Sequence, residues 1–251
     1  PAVPKDLKEY QHLLSSGIPI LKRAEVLGAL TKDKKTIAVA GTHGKTTVSA
    51  LIAHLLTHSG LGCNAFMGGI SKNYHSNLLV SENSEWMVVE ADEYDKSFLQ
   101  LHPDIGIITS ADADHLDIYG NLKNLQSTFR QYASNIKENG VLILKKGVEL
   151  DLKDTGTKTT VLYSKSIPTD FHAEQIRIEN EKYVFDYVMQ GKVICDVVSG
   201  LPGEINVENA VAAMTAANLA GISAEALKSG LSTFLGMERR FDIQVKSSEV
   251  V

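Results

Sequence analysis

The stretch Thr36-Ile37-Ala38-Val39-Ala40-Gly41-Thr42-His43-Gly44-Lys45-Thr46-Thr47-Val48 decides how the chain is read. Its first five residues, Thr36 to Ala40, are apolar enough on alternate sides to form a short strand buried on both faces. Gly41 to Thr47 then make a glycine-bearing turn. Beyond it Val48, Leu51, Ile52, Leu55 and Leu56 recur at i, i+3, i+4, i+7 and i+8, which predicts an amphipathic helix. Strand, glycine turn and helix are the opening half of a βαβ unit.

The turn carries chemistry of its own. A backbone nest that cradles a phosphate needs glycine, because the chain must come close to the anion and some φ angles are positive. The helix behind the turn offers unpaired N–H groups and the positive end of its dipole. Lys45 adds a point charge for the β- and γ-phosphates, and Thr46 a hydroxyl for Mg²⁺. The common pattern, G-x-x-x-x-G-K-[ST], spaces its glycines more widely than Gly41 and Gly44 stand, so the loop is a contracted variant.

Working outward, Trp86 to Val89 and Ile105 to Ile108 read as buried strands, each running out into acidic residues. Leu122 to Lys137 reads as a helix and Val141 to Leu144 as another buried strand. This alternation predicts an α/β fold of the P-loop type, a mostly parallel sheet with helices on both faces. From about Thr159 the texture changes. Phe171 to Ile178, Tyr183 to Val188 and Val193 to Val198, with turns at Glu179-Asn180 and Gln190-Gly191, predict an appended antiparallel hairpin region. Helices follow around Val207 to Met214 and over Ala224 to Phe234. At the other end, Lys5 to Ser16 is a helix stopped by Gly17, Glu25 to Leu30 a second short helix, and Thr31 to Lys35 a polar linker.

Composition bounds the function. The 251 residues are 43% hydrophobic and 22% charged, which excludes a disordered chain and a disulfide scaffold. A net charge of −5 gives no basic excess for a nucleic-acid backbone. No apolar run approaches the roughly 18 residues of a membrane span, and no signal-peptide pattern opens the chain. The 2 cysteines, Cys63 and Cys195, stand in no metal or redox spacing and read as buried thiols in a reducing compartment. The expected location is the cytoplasm, with no nucleic-acid or membrane partner. Both ends look cut, since Pro1 stands where a Met would and Val250-Val251 read as an unfinished strand. The chain is therefore expected to be a fragment.

Three further segments could build a site. Glu90 is the first polar residue after the Trp86 to Val89 strand, where ligands of open α/β sheets bind and where a carboxylate could hold the Mg²⁺ of a nucleotide. Asp92 and Asp95 suit the start of a helix better. Asp112-Ala113-Asp114-His115-Leu116-Asp117 follows the next buried strand, and His115 there is either structural or a ligand for a divalent cation. Strand order would bring Thr46, Glu90 and His115 to one edge. Asn206 and Asn209 open a helix, where they either cap it or read an adenine edge. Arg239-Arg240 is either a surface pair or the source of a guanidinium for a phosphate. His12, His54, His58, His75, His102 and His172 have no partner pattern and read as ordinary residues.

Together these pieces resemble the Mur ligase family, ATP-dependent amide-forming enzymes of peptidoglycan synthesis. Gly41 to Thr47 resembles the family's ATP loop, with Gly41, Thr42, His43, Gly44, Lys45, Thr46 and Thr47 as its residues. Glu90-Ala91-Asp92-Glu93 and Asp114-His115-Leu116-Asp117 resemble its two metal segments. Gly203-x-x-Asn206-x-x-Asn209 resembles its adenine segment, and Arg239-Arg240-Phe241 the start of its C-terminal domain. The resemblance covers nearly the whole chain. It implies ATP and Mg²⁺ as cofactors, with Lys45, Glu90, His115 and Arg240 catalytic and Thr46, Glu90 and His115 at the metals. It also implies residues 1–34 as the tail of a UDP-binding domain, 35–236 as the central ATP-binding domain, and 237–251 as the start of a third domain.

The His inside the loop and the Asp-His-Leu-Asp-x-Tyr run point within the family to joining L-alanine to UDP-N-acetylmuramate through an acyl phosphate. A sibling activity adds a murein tripeptide to the same nucleotide sugar. Two positions depart from the pattern: Ile205 stands where relatives commonly carry His, and Arg130 where several carry a carbamoylated Lys. A different class, a nucleotide switch reading guanine, would need an Asn-Lys-x-Asp segment, which the sequence lacks. A third reading is a nucleotide-binding module without ligase activity of its own.

Overall fold

The computed structural model describes residues 3–112, 116–153, 155–156 and 159–240. The central strand β1 (Lys35–Ala40) is followed by the glycine turn and α3 (Lys45–His58), and preceded by α1 (Lys8–Ser15) and α2 (Arg23–Thr31). The chain then forms β2 (Asn64–Ser71), β3 (Ser76–Leu79), β4 (Trp86–Glu90), a 3-10 helix (Tyr94–Gln100), β5 (Ile105–Ile108), α4 (Leu116–Tyr119), α5 (Leu122–Ser134) and β6 (Val141–Lys145). It closes with β7 (Thr159–Ser164), β8 (Phe171–Glu179), β9 (Lys182–Met189), β10 (Lys192–Val198), α6 (Glu204–Leu219) and α7 (Ala224–Ser232).

All ten strands join one sheet in the order β10-β9-β8-β7-β6-β5-β1-β4-β2-β3. β1 pairs in parallel with β4 on one side and β5 on the other. The β2–β4, β5–β6, β6–β7 and β7–β8 pairs are also parallel, while β2–β3, β8–β9 and β9–β10 are antiparallel. The parallel centre and the antiparallel flank match the sequence expectation. Strands β2, β3 and β7 were not legible in it. β2 carries Gly68-Gly69 and β7 begins Thr159-Thr160, so neither shows the clean apolar run that marks a buried strand. The β8–β9 turn places Asn180 and Glu181 at φ 49° and 64°, and the β9–β10 turn places Gln190 and Gly191 at φ 49° and 83°. Both are the left-handed pairs that match the twist of a two-residue hairpin.

Alternation along β1 builds two cores. Ile37 and Val39 point to the face covered by α3 and α6, and Ala38 and Ala40 to the face covered by α5 and the 3-10 helix. Helix α3 departs from the amphipathic expectation: every residue from Thr46 to Leu56 is buried, because the helix is sandwiched between the sheet and α6 and α7. The buried imidazole of α3 is paired. His54 Nδ1 meets Tyr74 Oη at 2.9 Å, and its Nε2 lies 3.1 Å from Gly230 O and 3.0 Å from Thr233 Oγ1. Burial pushes the His54 imidazole down to about 4, opposed by the Gly230 carbonyl and helped by nearby His58. His54 is thus a neutral tie between α3, the β2–β3 turn and α7, a role its isolated position in the sequence did not reveal.

Cys63 is buried as expected, and burial pushes its thiol up to about 12. Cys195 is exposed, against the expectation, because β10 is the edge of the sheet and Cys195 lies in its irregular stretch between Ile194 and Val197. No described helix is long and apolar enough to cross a membrane.

Candidate phosphate-binding site

Parallel pairing delivers the site residues to one edge. Val39 pairs with Glu90 and Ala40 with Ile108, so the ends of β4 and β5 flank the turn that leaves β1. The turn is clamped from the β5 side. Thr109 Oγ1 donates to Ala40 O at 3.1 Å and also to His43 O. Ser110 Oγ accepts from His43 N at 2.8 Å and lies 2.8 Å from Thr42 Oγ1. Thr109 and Ser110 carry no motif. Their signal is only two hydroxyls directly after an apolar strand, and it acquires meaning once β5 is known to lie beside β1.

Gly41 and Gly44 take φ 138° and 85°, the positive values a nest requires. A Cβ on Gly41 would fall 2.1 Å from Thr109 Oγ1, so the clamp itself demands glycine there. Helix α3 starts at Lys45 with no side-chain cap, which aims its first-turn N–H groups at the loop's mouth.

Lys45 Nζ donates to Gly41 O at 2.8 Å and to Glu93 Oε1 at 2.8 Å, with Glu93 Oε2 also 2.8 Å away. The Glu93 side chain is 0% exposed. Glu93 was visible in the sequence only as part of an acidic run, and the structure singles it out. Beside it Asp92 plays the local part expected: its Oδ1 accepts from Tyr94 N at 3.1 Å at the start of the 3-10 helix.

Thr46 Oγ1 donates to Glu90 Oε1 at 3.0 Å. Glu90 Oε2 is buried against Gly68 and has no hydrogen-bond donor among the described residues. A hydroxyl and a carboxylate with an unused lone pair at the mouth of the loop form a hard-oxygen donor set of the kind Mg²⁺ prefers. The described residues hold no cluster of three or more His, Cys, Asp or Glu. The Thr46 hydroxyl and the Glu90 carboxylate nonetheless fit the ion. His115 lies outside the described residues.

Arg240 is brought to the loop by backbone pairing. Lys72 N donates to Gly236 O at 3.0 Å and Glu238 N to Ile70 O at 2.9 Å, so residues 236–238 lie along the end of β2, and Arg240 N turns back to Met237 O at 3.3 Å. Arg240 then lines a cavity of about 320 Å³ with Thr42, His43, Gly44, Lys45, Thr46 and Glu90. A second cavity, of about 250 Å³, meets this one at Glu90 and is lined by Arg23, Gly68 and Asp92 among others.

Asn206 and Asn209 sit behind the loop. Asn209 Nδ2 donates to Asn206 Oδ1 at 3.1 Å, and Asn206 Nδ2 to Pro202 O at 2.6 Å. Asn209 Oδ1 would lie 2.9 Å from a Cβ on Gly44, so this amide supports the loop from below. Neither caps α6, whose N-cap is Gly203 without a side-chain bond.

Residues 39–217 match the Mur ligase middle domain. The chain belongs to the Mur ligase family. This Mur ligase chain is 49% identical over 251 residues to a UDP-N-acetylmuramate–L-alanine ligase of Phocaeicola vulgatus, across 100% of the chain and 55% of the relative. A UDP-N-acetylmuramate–L-alanine ligase of Parabacteroides distasonis is 46% identical over 251 residues, with 100% and 54% covered. The crystal structure of UDP-N-acetylmuramate–alanine ligase from Thermotoga maritima superposes with a TM-score of 0.83 at 29% identity, covering 99% of this chain and 56% of that one. The UDP-N-acetylmuramate:L-alanyl-gamma-D-glutamyl-meso-diaminopimelate ligase of Neisseria meningitides, at 23% identity and TM-score 0.81 over 95% of this chain and 78% of that one, shares the fold. The Mur ligase chain spans about half the length of the curated relatives it matches.

Proposed function

We propose that this chain is the nucleotide-binding core of an ATP-dependent ligase that joins L-alanine to UDP-N-acetylmuramate in peptidoglycan synthesis, in the cytoplasm. The observation that carries the reading is the cavity in which the glycine loop, Lys45, the Thr46–Glu90 pair and Arg240 converge. The choice of substrates rests on the names of the relatives at 46–49% identity.

Each residue has a part that follows from its chemistry. The loop N–H groups and the start of α3 hold the phosphates. Lys45 offsets negative charge on them, and Arg240 approaches from the rim, where its planar fork suits a phosphoryl group. Thr46 and Glu90 would hold Mg²⁺, and His115 a second ion. Bound MgATP supplies the phosphoryl group that activates the acceptor carboxylate, and the fixed charges around it contribute most where negative charge develops. The cavity beyond Glu90, with Arg23 on its wall, suits that carboxylate. Asn206 and Asn209 are assigned to the adenine side through the loop they support.

In the same proposal, residues 1–34 belong to a UDP-binding domain, 35–236 to the central domain and 237–251 to the start of a third. Helix α1 buries no residue and leaves Leu13 and Leu14 exposed, as a segment that packs on another domain would. The isolated 251-residue chain is then expected to bind ATP without ligating. The test is phosphate release by the longer parent protein, with each substrate omitted in turn. Release that requires both UDP-N-acetylmuramate and L-alanine supports the proposal. Release that requires the murein tripeptide instead favours the recycling activity, and release that ignores all acceptors refutes a ligase.

A further inference from the structure

We infer that Glu93 is a positioning residue that competes with the nucleotide's phosphates for Lys45 and so sets how tightly the loop holds them. The inference rests on the nucleotide reading of the loop. Lys45 Nζ donates to Gly41 O and to Glu93 Oε1, each at 2.8 Å, and Glu93 Oε2 lies within ion-pair distance at 2.8 Å. Before any ligand arrives, the cation of the loop is therefore already neutralised. A phosphate that draws on Lys45 must share its charge with the Glu93 carboxylate.

Burial gives this competition its force. An exposed ion pair opens into water at little cost, but the Glu93 side chain is 0% exposed and Lys45 is 13% exposed. The backbone of Glu93 is also fixed, since its carbonyl accepts from Lys96 N at 2.9 Å and from the Tyr119 hydroxyl. Glu93 cannot withdraw to solvent when a phosphate enters. Its negative charge remains beside the bound anion and weakens it. Glu90, the other carboxylate here, is engaged by Thr46 rather than Lys45, so the two acids have separate tasks.

Glu93→Gln tests the idea, because it keeps the shape and removes the charge. ADP binding is measured by calorimetry in EDTA, so that no divalent cation contributes. The expected result is about tenfold tighter binding in the variant, the scale of removing one like charge near a bound anion. A purely structural Glu93 would leave affinity equal or lower it, and either outcome overturns the inference. A thermal cycle covers a variant that does not fold. Lys45→Met takes the ammonium away from the buried carboxylate and should lower Tm, and adding Glu93→Gln to it should restore part of the loss. No restoration overturns the pairing. Wild-type protein that binds neither ADP in EDTA nor ATP with Mg²⁺ refutes the nucleotide reading instead, and the thermal cycle still decides the pairing.

Discussion

Acidification should destabilise this fold through His54, and the size of the effect follows from its surroundings. The imidazole is neutral in the folded state because burial pushes it from 6.5 down to about 4, against the pull of the Gly230 carbonyl and with the aid of His58. Unfolding returns it to ordinary water, where it takes up a proton more readily. The unfolded chain therefore binds the extra proton. Stability is complete above pH 6.5, falls as pH drops, and levels off below about pH 4. The gap of about 2.5 units (6.5 − 4) corresponds to about 3 kcal/mol in all, with about 2 kcal/mol already lost by pH 5.

The assay is urea unfolding of wild type and His54→Gln across pH 4 to 7.5. Gln can still reach hydrogen-bond partners but does not titrate. Other titrating groups cancel in the difference between the two proteins, so the stability advantage of wild type should shrink by about 3 kcal/mol from pH 7 to pH 4. Parallel curves would show that His54 is already protonated in the fold or that its cluster opens freely, and the reasoning would fail.

Gly68→Ala should damage metal-assisted nucleotide binding selectively: its Cβ would fall 2.0 Å from Glu90 Oε2 and 2.7 Å from Glu90 Cδ, displacing the carboxylate by about 1 Å. The expected result is ATP affinity in Mg²⁺ reduced about tenfold or more with ADP affinity in EDTA unchanged; equal losses under both conditions would sink the assignment of Glu90 to the ion. The thiols should differ sharply. Exposed Cys195 should react with a thiol reagent in the native protein, while Cys63, buried and pushed up to about 12, should react only in denaturant; rapid loss of both thiols in native protein would contradict the packing around Cys63.

How much was legible depended on how local the signal was. The strand Thr36 to Ala40, the loop and α3 could be read because the apolar run, the glycines and the helical period are contiguous. Glu90 could be read because a polar residue ending a buried strand marks the sheet's carboxyl edge. Thr109 and Ser110 could not, since their value comes from β5 lying next to β1 rather than from their neighbours in sequence. Glu93 was hidden for the same reason: its partner Lys45 lies 48 residues away and reaches it only through the fold. Arg240 was named from resemblance, but its arrival at the loop depends on residues 236–238 lying along β2, a strand the sequence did not announce, and on the turn back at Met237. The amphipathic reading of α3 failed because a helix covered by both a sheet and other helices has no solvent face to keep polar.

The central claim is that the Gly41 to Thr47 loop holds a nucleotide triphosphate through Lys45. Isothermal titration of Mg·ATP into the 251-residue chain and its Lys45→Met variant tests it most directly. The account predicts one saturable site in the wild-type chain and at least a tenfold weaker one in the variant, since a charge-assisted bond to phosphate is lost. Equal affinities, or no binding by either folded protein, would contradict it.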